Sequence, residues 1–138
     1  MLFASQIAAG EENGLAIWVY GDEKGLEWHQ EDPNTLRIRS QDRPLEIWSR
    51  GQGYVEARSP AAARATRLPA GHPEAFLEAF ANVYRNAADT IRARRARTRP
   101  DPLARDYPTV DDGLRGMLFI ETVVKSARSA RKWLTVPR

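Results

Sequence analysis

The run from Gly71 to about Arg95 constrains this chain more than any other stretch. Phe76, Leu77, Phe80, Val83, Tyr84, Ala87, Ala88 and Ile91 recur at three- and four-residue steps. They make the broad apolar stripe of an amphipathic helix. Pro73 suits the first helical position, where a missing N–H costs nothing. Glu74 and Glu78 complement the positive end of the helix dipole, and Arg92, Arg94 and Arg95 the negative end. A stripe of this aromatic content needs a large apolar partner, and Phe80 at its middle is expected to be buried.

The preceding residues supply that partner as strands. Leu15 to Tyr20 alternates, with Leu15, Ile17 and Val19 on one side and Ala16, Trp18 and Tyr20 on the other. Leu26 to Gln30, Thr35 to Arg39 and Leu45 to Ser49 follow, separated by Gly, Asp, Asn and Pro turns, and residues 2–7 are a further candidate. The connections are too short for crossovers, so the strands pair antiparallel. Residues 50–70 and 97–108 read as loops. Thr109, with Asp112 three residues on, opens a second helix by a capping box with a shorter acid. Leu114, Met117, Leu118, Glu121, Val124 and Ala127 share a face of it, and Lys132 to Val136 reads as a returning strand.

Two long helices on one face of an open, mainly antiparallel sheet give a two-layer α+β fold, with residues 1–138 as a single domain. The other sheet face would then carry some of Trp18, Tyr20, Trp28 and Trp48 with nothing over it, and a bare aromatic face calls for a partner. Trp18, Trp28 and Trp48 are the interface candidates, and pairing about a two-fold axis is the expected use.

Chemistry is sparse. The chain has no cysteine, which excludes disulfides, thiol catalysis and thiolate metal sites and fits a cytoplasmic protein. No apolar run approaches the ~20 residues of a membrane span, and no signal peptide is visible. His29 and His72 are the only imidazoles, too few for a metal site. His29 reads as a surface residue of a strand. His72 immediately precedes a helix start, where it either merely helps to start the helix or stands at a place that favours anions and polar ligands, and it is the one substrate-binding candidate. Gly51-Gln52-Gly53 begins like a dinucleotide fingerprint, but Glu56 stands where the third glycine belongs. No catalytic, cofactor-binding or metal-binding residue is nominated. Six arginines between Arg92 and Arg105 against Asp101 alone can be read as a nucleic-acid patch or as a solvated helix end. The absence of interleaved aromatics favours the solvated end.

Several motifs occur in a telling order. They are Ala4-Ser5-Gln6-Ile7-Ala8-Ala9-Gly10, Val19-Tyr20-Gly21 with Gly25-Leu26-Glu27-Trp28, and Gly71-His72-Pro73-Glu74-Ala75-Phe76 with Ala79-Phe80-Ala81-Asn82-Val83-Tyr84. Tyr107-Pro108-Thr109-Val110-Asp111-Asp112-Gly113-Leu114-Arg115-Gly116 and Lys132-Trp133 complete the set. Over nearly the whole chain this resembles the C-terminal part of the Gfo/Idh/MocA oxidoreductases, the glucose-fructose oxidoreductase and inositol dehydrogenase family. The resemblance implies a full-length protein with an N-terminal Rossmann domain that binds NAD or NADP. It also implies a Glu-Lys-Pro motif carrying a catalytic lysine and an Asp/His pair, and none of these motifs occurs here. This chain would then correspond to the last third or so of such an enzyme, the part that shapes the sugar pocket and builds dimers, with the Rossmann domain as a partner. It would hold no cofactor and not be catalytic by itself. The alternatives are a stand-alone oligomeric binding module and, behind it, a basic nucleic-acid binder.

Overall fold

Strand alternation and short turns are realised as a four-stranded antiparallel meander, in the order β1-β2-β3-β4. The computed structural model describes residues 1–137 and places β1 at Ala16–Tyr20, β2 at Lys24–His29, β3 at Asp32–Ser40 and β4 at Glu46–Ser49. Ile17 lies opposite Trp28, Val19 opposite Leu26, Leu26 opposite Ile38, and Leu36 opposite Trp48. These residues therefore share one face. Trp18, Glu27, Arg37 and Ile47 form a cross-strand row on the other, beside a row of Tyr20, Gly25 and Arg39. A register shift between Glu27 and His29 marks a bulge, which adds local twist.

The α+β class and the open antiparallel sheet are those expected from the sequence. Its two end strands are not found. Residues 2–7 have no regular structure, and Leu2, Phe3 and Ile7 are exposed. Asn13-Gly14, a dipeptide that favours hairpin turns, consequently closes no hairpin. Over Lys132–Val136 the chain is irregular too, and the Lys132 ammonium turns back to the last carbonyls of the preceding helix, Ser126 at 3.4 Å and Ala127 at 3.3 Å.

Residues 50–70 are not a plain loop. They hold two short helices, α1 (Gly53–Glu56) and α2 (Pro60–Ala65). Ser59 caps α2, its Oγ accepting from the Ala62 N–H at 3.2 Å, with Pro60 next to it. Tyr54 of α1 packs edge-on against Trp48 at 5.8 Å, and the Arg58 guanidinium lies 5.2 Å from the same indole.

The long helix, α3, runs over Phe76–Arg95 and does not begin at Pro73. The Ala75 N–H donates to Glu78 Oε2 at 2.9 Å, half of a capping box, while Glu74 is drawn away to another partner. That hydrogen bond and the backbone N–H of Glu78 itself hold the Glu78 carboxyl below the ordinary glutamate range. The expected burial of Phe80 is not observed either: it is 51% exposed and Phe76 64%. The two rings meet each other, 4.7 Å between centroids, and no apolar layer closes over them.

Two compact units divide the chain, Met1–Tyr84 and Arg85 onward. In the first, Ile38 is the buried aliphatic side chain of the sheet. In the second, α3 packs through a small residue. Thr90 is buried and its hydroxyl donates to the carbonyl of Ala104, itself fully buried in a 3-10 turn over Pro102–Arg105. The last helix, α4 (Val110–Arg128), opens on the expected capping box: the Thr109 N–H donates to Asp112 Oδ2 at 2.9 Å and the Asp112 N–H to Thr109 Oγ1 at 3.4 Å. Val110, Leu114, Met117 and Ile120 of this helix stay exposed.

Candidate functional site

The best-organised polar structure of the first unit is built around Arg50, just past β4. A guanidinium has five N–H donors in a fixed fork, and here each has an acceptor. Nε donates to Asn34 Oδ1 at 2.9 Å. Nη1 donates to the Leu68 carbonyl at 2.9 Å and to Glu74 Oε1 at 3.0 Å. Nη2 donates to the Pro69 carbonyl at 3.3 Å and to that of His72. Glu74 is buried, 7% exposed, and its Oε1 also accepts from the N–H groups of Arg67, at 2.6 Å, and of Leu68. Asn34 Oδ1 accepts in turn from the Glu74 N–H at 2.9 Å. The segment 67–74 is thus a strap pinned at both ends to the sheet. Arg67 adds a hold of its own, Nε to Asn82 Oδ1 at 2.9 Å.

Two glycines shape the strap. Gly71 has φ +83°, the left-handed turn conformation in which a side chain is strained. Gly51, at φ +74°, lies under it: a Cβ there would come within 3.2 Å of the Ala70 backbone. His72 follows Gly71. Its N–H donates to the Pro69 carbonyl at 3.2 Å and its own carbonyl accepts from Arg50, so both backbone groups are used inside the strap. Its exposed ring has no hydrogen-bond partner among the described residues. The sequence puts this imidazole immediately before a helix that starts at Pro73; His72 does precede the helix, but α3 begins at Phe76, so the residue lies on the strap.

A second surface is the sheet face bearing Trp18. At its centre Glu27, 9% exposed, accepts from Arg39 Nη2 at 2.7 Å and Nε at 3.0 Å, and from Arg37 Nη1 at 3.4 Å. His29 Nε2 lies 2.9 Å from Glu27 Oε1. That hydrogen bond first, and Arg39 second, hold the Glu27 carboxyl below the usual glutamate range. Trp18 stands edge-on to His29 at 5.6 Å, and Trp18 and Tyr20 are half-exposed and exposed. His29 is therefore more than a bare surface residue. Trp28 and Trp48 lie on the opposite face with their indole N–H groups engaged, by the Pro33 carbonyl at 3.1 Å and by Glu46 Oε2 at 2.9 Å. The three tryptophans are not one patch.

Sequence reasoning missed Arg50, Glu74, Asn34 and the Glu27 cluster. Glu27 had a signal, since it faces Arg37 across an alternating pair of strands. Arg50 and Glu74 had none, being joined across the fold rather than along one element. In the second unit Arg92, at the basic end of α3, pairs with Asp89 at 2.8 Å. Among the described residues no cluster of His, Asp and Glu could hold a metal ion, and no helix is long and apolar enough to cross a membrane.

No protein-family model matches the chain. It is 32% identical over 133 residues to an uncharacterized oxidoreductase, YfiI, of Bacillus subtilis (strain 168), a match covering 96% of this chain and 33% of that protein. Among solved structures it is similar to an oxidoreductase from Sinorhizobium meliloti, with 46% identity and a TM-score of 0.84, over 95% of this chain and 35% of the other. It is also similar to an inositol dehydrogenase homolog from Azotobacter vinelandii, whose structure is a complex with NADH and myo-inositol. There the identity is 35% and the TM-score 0.75, over 90% of this chain and 32% of the other. The chain thus spans about a third of the length of the relatives it matches.

Proposed function

We propose that this chain is the C-terminal, substrate-side and oligomerisation region of an NAD(P)-dependent sugar or polyol oxidoreductase of the Gfo/Idh/MocA type, and that it is not catalytic alone. The observation that carries the reading is the similarity, at 35% identity, to one third of an inositol dehydrogenase homolog solved with NADH and myo-inositol. Hydride transfer needs a nicotinamide held against the substrate, and after Gly51-Gln52-Gly53 the residue where the third glycine of a dinucleotide fingerprint belongs is Glu56. The cofactor in this reading belongs to the remaining two thirds of the enzyme, and His72 stands on the substrate side. The absence of cysteine suits work in the cytoplasm.

The Trp18 face is the oligomerisation surface in this reading. Its two neighbouring rows carry Trp18, Tyr20, Arg37 and Arg39, residue types enriched at protein interfaces. A two-fold pairing lets such a face cover itself.

Reconstitution tests the function. The chain is co-expressed with the part of the Sinorhizobium meliloti oxidoreductase that it does not match, and NADH production from myo-inositol and other polyols is followed by absorbance. Turnover is expected from the pair and from neither part alone. Micromolar NADH binding by the isolated chain in calorimetry would overturn the reading. Polyol binding by the chain with no turnover from the pair would favour the stand-alone binding module.

A further inference from the structure

The geometry points to Arg50, Gly51 and Glu74 as positioning residues that preset the strap 67–74, so that it offers the His72 imidazole, and little else of that residue, to a hydroxylated ligand. The inference rests on the polyol reading for the ligand class and goes beyond it in assigning the residues that make the strap competent.

Three observations converge. First, the Arg50 fork is saturated. Three of its five donors go to the strap carbonyls of Leu68, Pro69 and His72, and the other two to Glu74 and Asn34, which fix the strap's far end to β3. A loop that only needs to be covered does not require five charge-assisted bonds from one side chain. Second, the charges that do this are removed from solvent: the side chains of Arg50 and Glu74 are 17% and 6% exposed. The pair is spent on backbone geometry and is not offered to a ligand. Third, the residue left over is His72. With its N–H and carbonyl both used, and Pro73 after it lacking an N–H, the ring is the polar group that points out of a fixed backbone. An imidazole both donates and accepts, which suits adjacent hydroxyls. Fixing the backbone beforehand removes an ordering cost that a ligand would otherwise have to overcome.

Gly51 gives the test its precision. Replacement by Ala adds one methyl at a left-handed φ of +74° and 3.2 Å from the Ala70 backbone, so the strap must shift by a few tenths of an ångström. No charge or hydrogen-bonding group of the fork or of His72 is deleted. Lys at position 50 keeps the charge, but an ammonium has three donors and no planar fork.

The experiment follows the two imidazoles of the full chain by proton–carbon NMR during titration with myo-inositol. His29, on the Glu27 cluster, is the internal control. In the wild type the His72 signal is expected to move saturably and His29 to stay fixed. In Gly51→Ala and Arg50→Lys the titration should weaken by about tenfold, equivalent to ~1.4 kcal/mol, and Arg50→Gln should abolish it. The His29 signal and the sheet amides should stay in place in each. If Arg50→Gln disturbs the sheet amides, Gly51→Ala decides. Equal responses of wild type and Gly51→Ala, with the strap amides shifted, overturn the positioning role. No response of His72 in the wild type overturns the inference as a whole. A responsive, Gly51-sensitive His72 with a failed reconstitution removes the oxidoreductase reading alone. A silent His72 with successful reconstitution removes the strap inference alone.

Discussion

Arg50→Ala tests the physical basis of the strap. Glu74, its partner, has a side chain 6% exposed and keeps two backbone N–H donors, from Arg67 and Leu68, when the guanidinium is gone. The carbonyls of Leu68, Pro69 and His72 can rehydrate, because these residues are exposed. The loss therefore falls mainly on the carboxylate, left buried without a cation. Removing one member of a buried pair costs about 3–5 kcal/mol. In Glu74→Gln the Oε1 acceptor and its two backbone donors survive, and the cost should be smaller, about 1–2 kcal/mol. The double variant has no orphaned charge. It should be less destabilised than the sum of the singles by about 1–3 kcal/mol. Urea unfolding followed by tryptophan fluorescence measures all three, since Trp48 lies in the neighbouring strand β4. Arg50→Ala costing below about 1 kcal/mol, or strict additivity in the double variant, would refute the claim that the pair holds the strap.

Phe80→Ala should cost only about 0.5–1.5 kcal/mol in this chain, the scale of an aromatic pair with Phe76; a loss of several kcal/mol would mean that the stripe is covered in solution. Glu27 has a folded pKa below its unfolded value, so its contribution is present above the ordinary glutamate value of 4.5 and is lost as pH falls through the lower folded value. Acid unfolding should accordingly flatten, without vanishing, in Glu27→Gln, because Asp112 and Glu78 are depressed as well; an unchanged acid profile would dismiss the cluster. Trp18→Ser should lower the mass seen by light scattering while leaving the circular dichroism intact, whereas Trp28→Ser should lower stability, having lost the bond to Pro33; a wild-type chain that is monomeric at high micromolar concentration would defeat the interface.

Much of the sheet was legible because alternation is a property of neighbouring residues. Leu36 and Ile38 against Arg37 and Arg39 fixes both the strand and its two faces before any partner is known. The capping box at Thr109 was legible for the same reason. The start of α3 was misread at Pro73 because the local signal was sound and a distant one overrode it: Glu74 joins Arg50, and Glu78 caps the helix from inside. Ser59-Pro60 carried a helix-start signal that the small, arginine-rich surroundings masked. Burial of Phe80 was inferred from periodicity, which shows that a face is apolar but not what lies over it. The parity of the tryptophans was readable strand by strand, but only the register between strands shows that Trp18 parts company with Trp28 and Trp48.

The contacts of the strap also set an order of assembly. Adjacent strands of the meander close short loops, which is rapid and entropically cheap. Arg50 reaches Glu74 across 24 positions, and the Glu74 N–H reaches Asn34 across 40. Pairing of β3 with β4 brings the two anchors together, the Arg50 N–H donating to the Asn34 carbonyl at 2.9 Å, and so prepares both ends for the strap. The strap is therefore a late event in folding, with φ-values near zero expected at positions 50 and 74. Weakening it should leave the folding rate nearly untouched and hasten unfolding. The hairpins can outlive the strap, so under stress the first unit would lose its candidate ligand site with the sheet still in place.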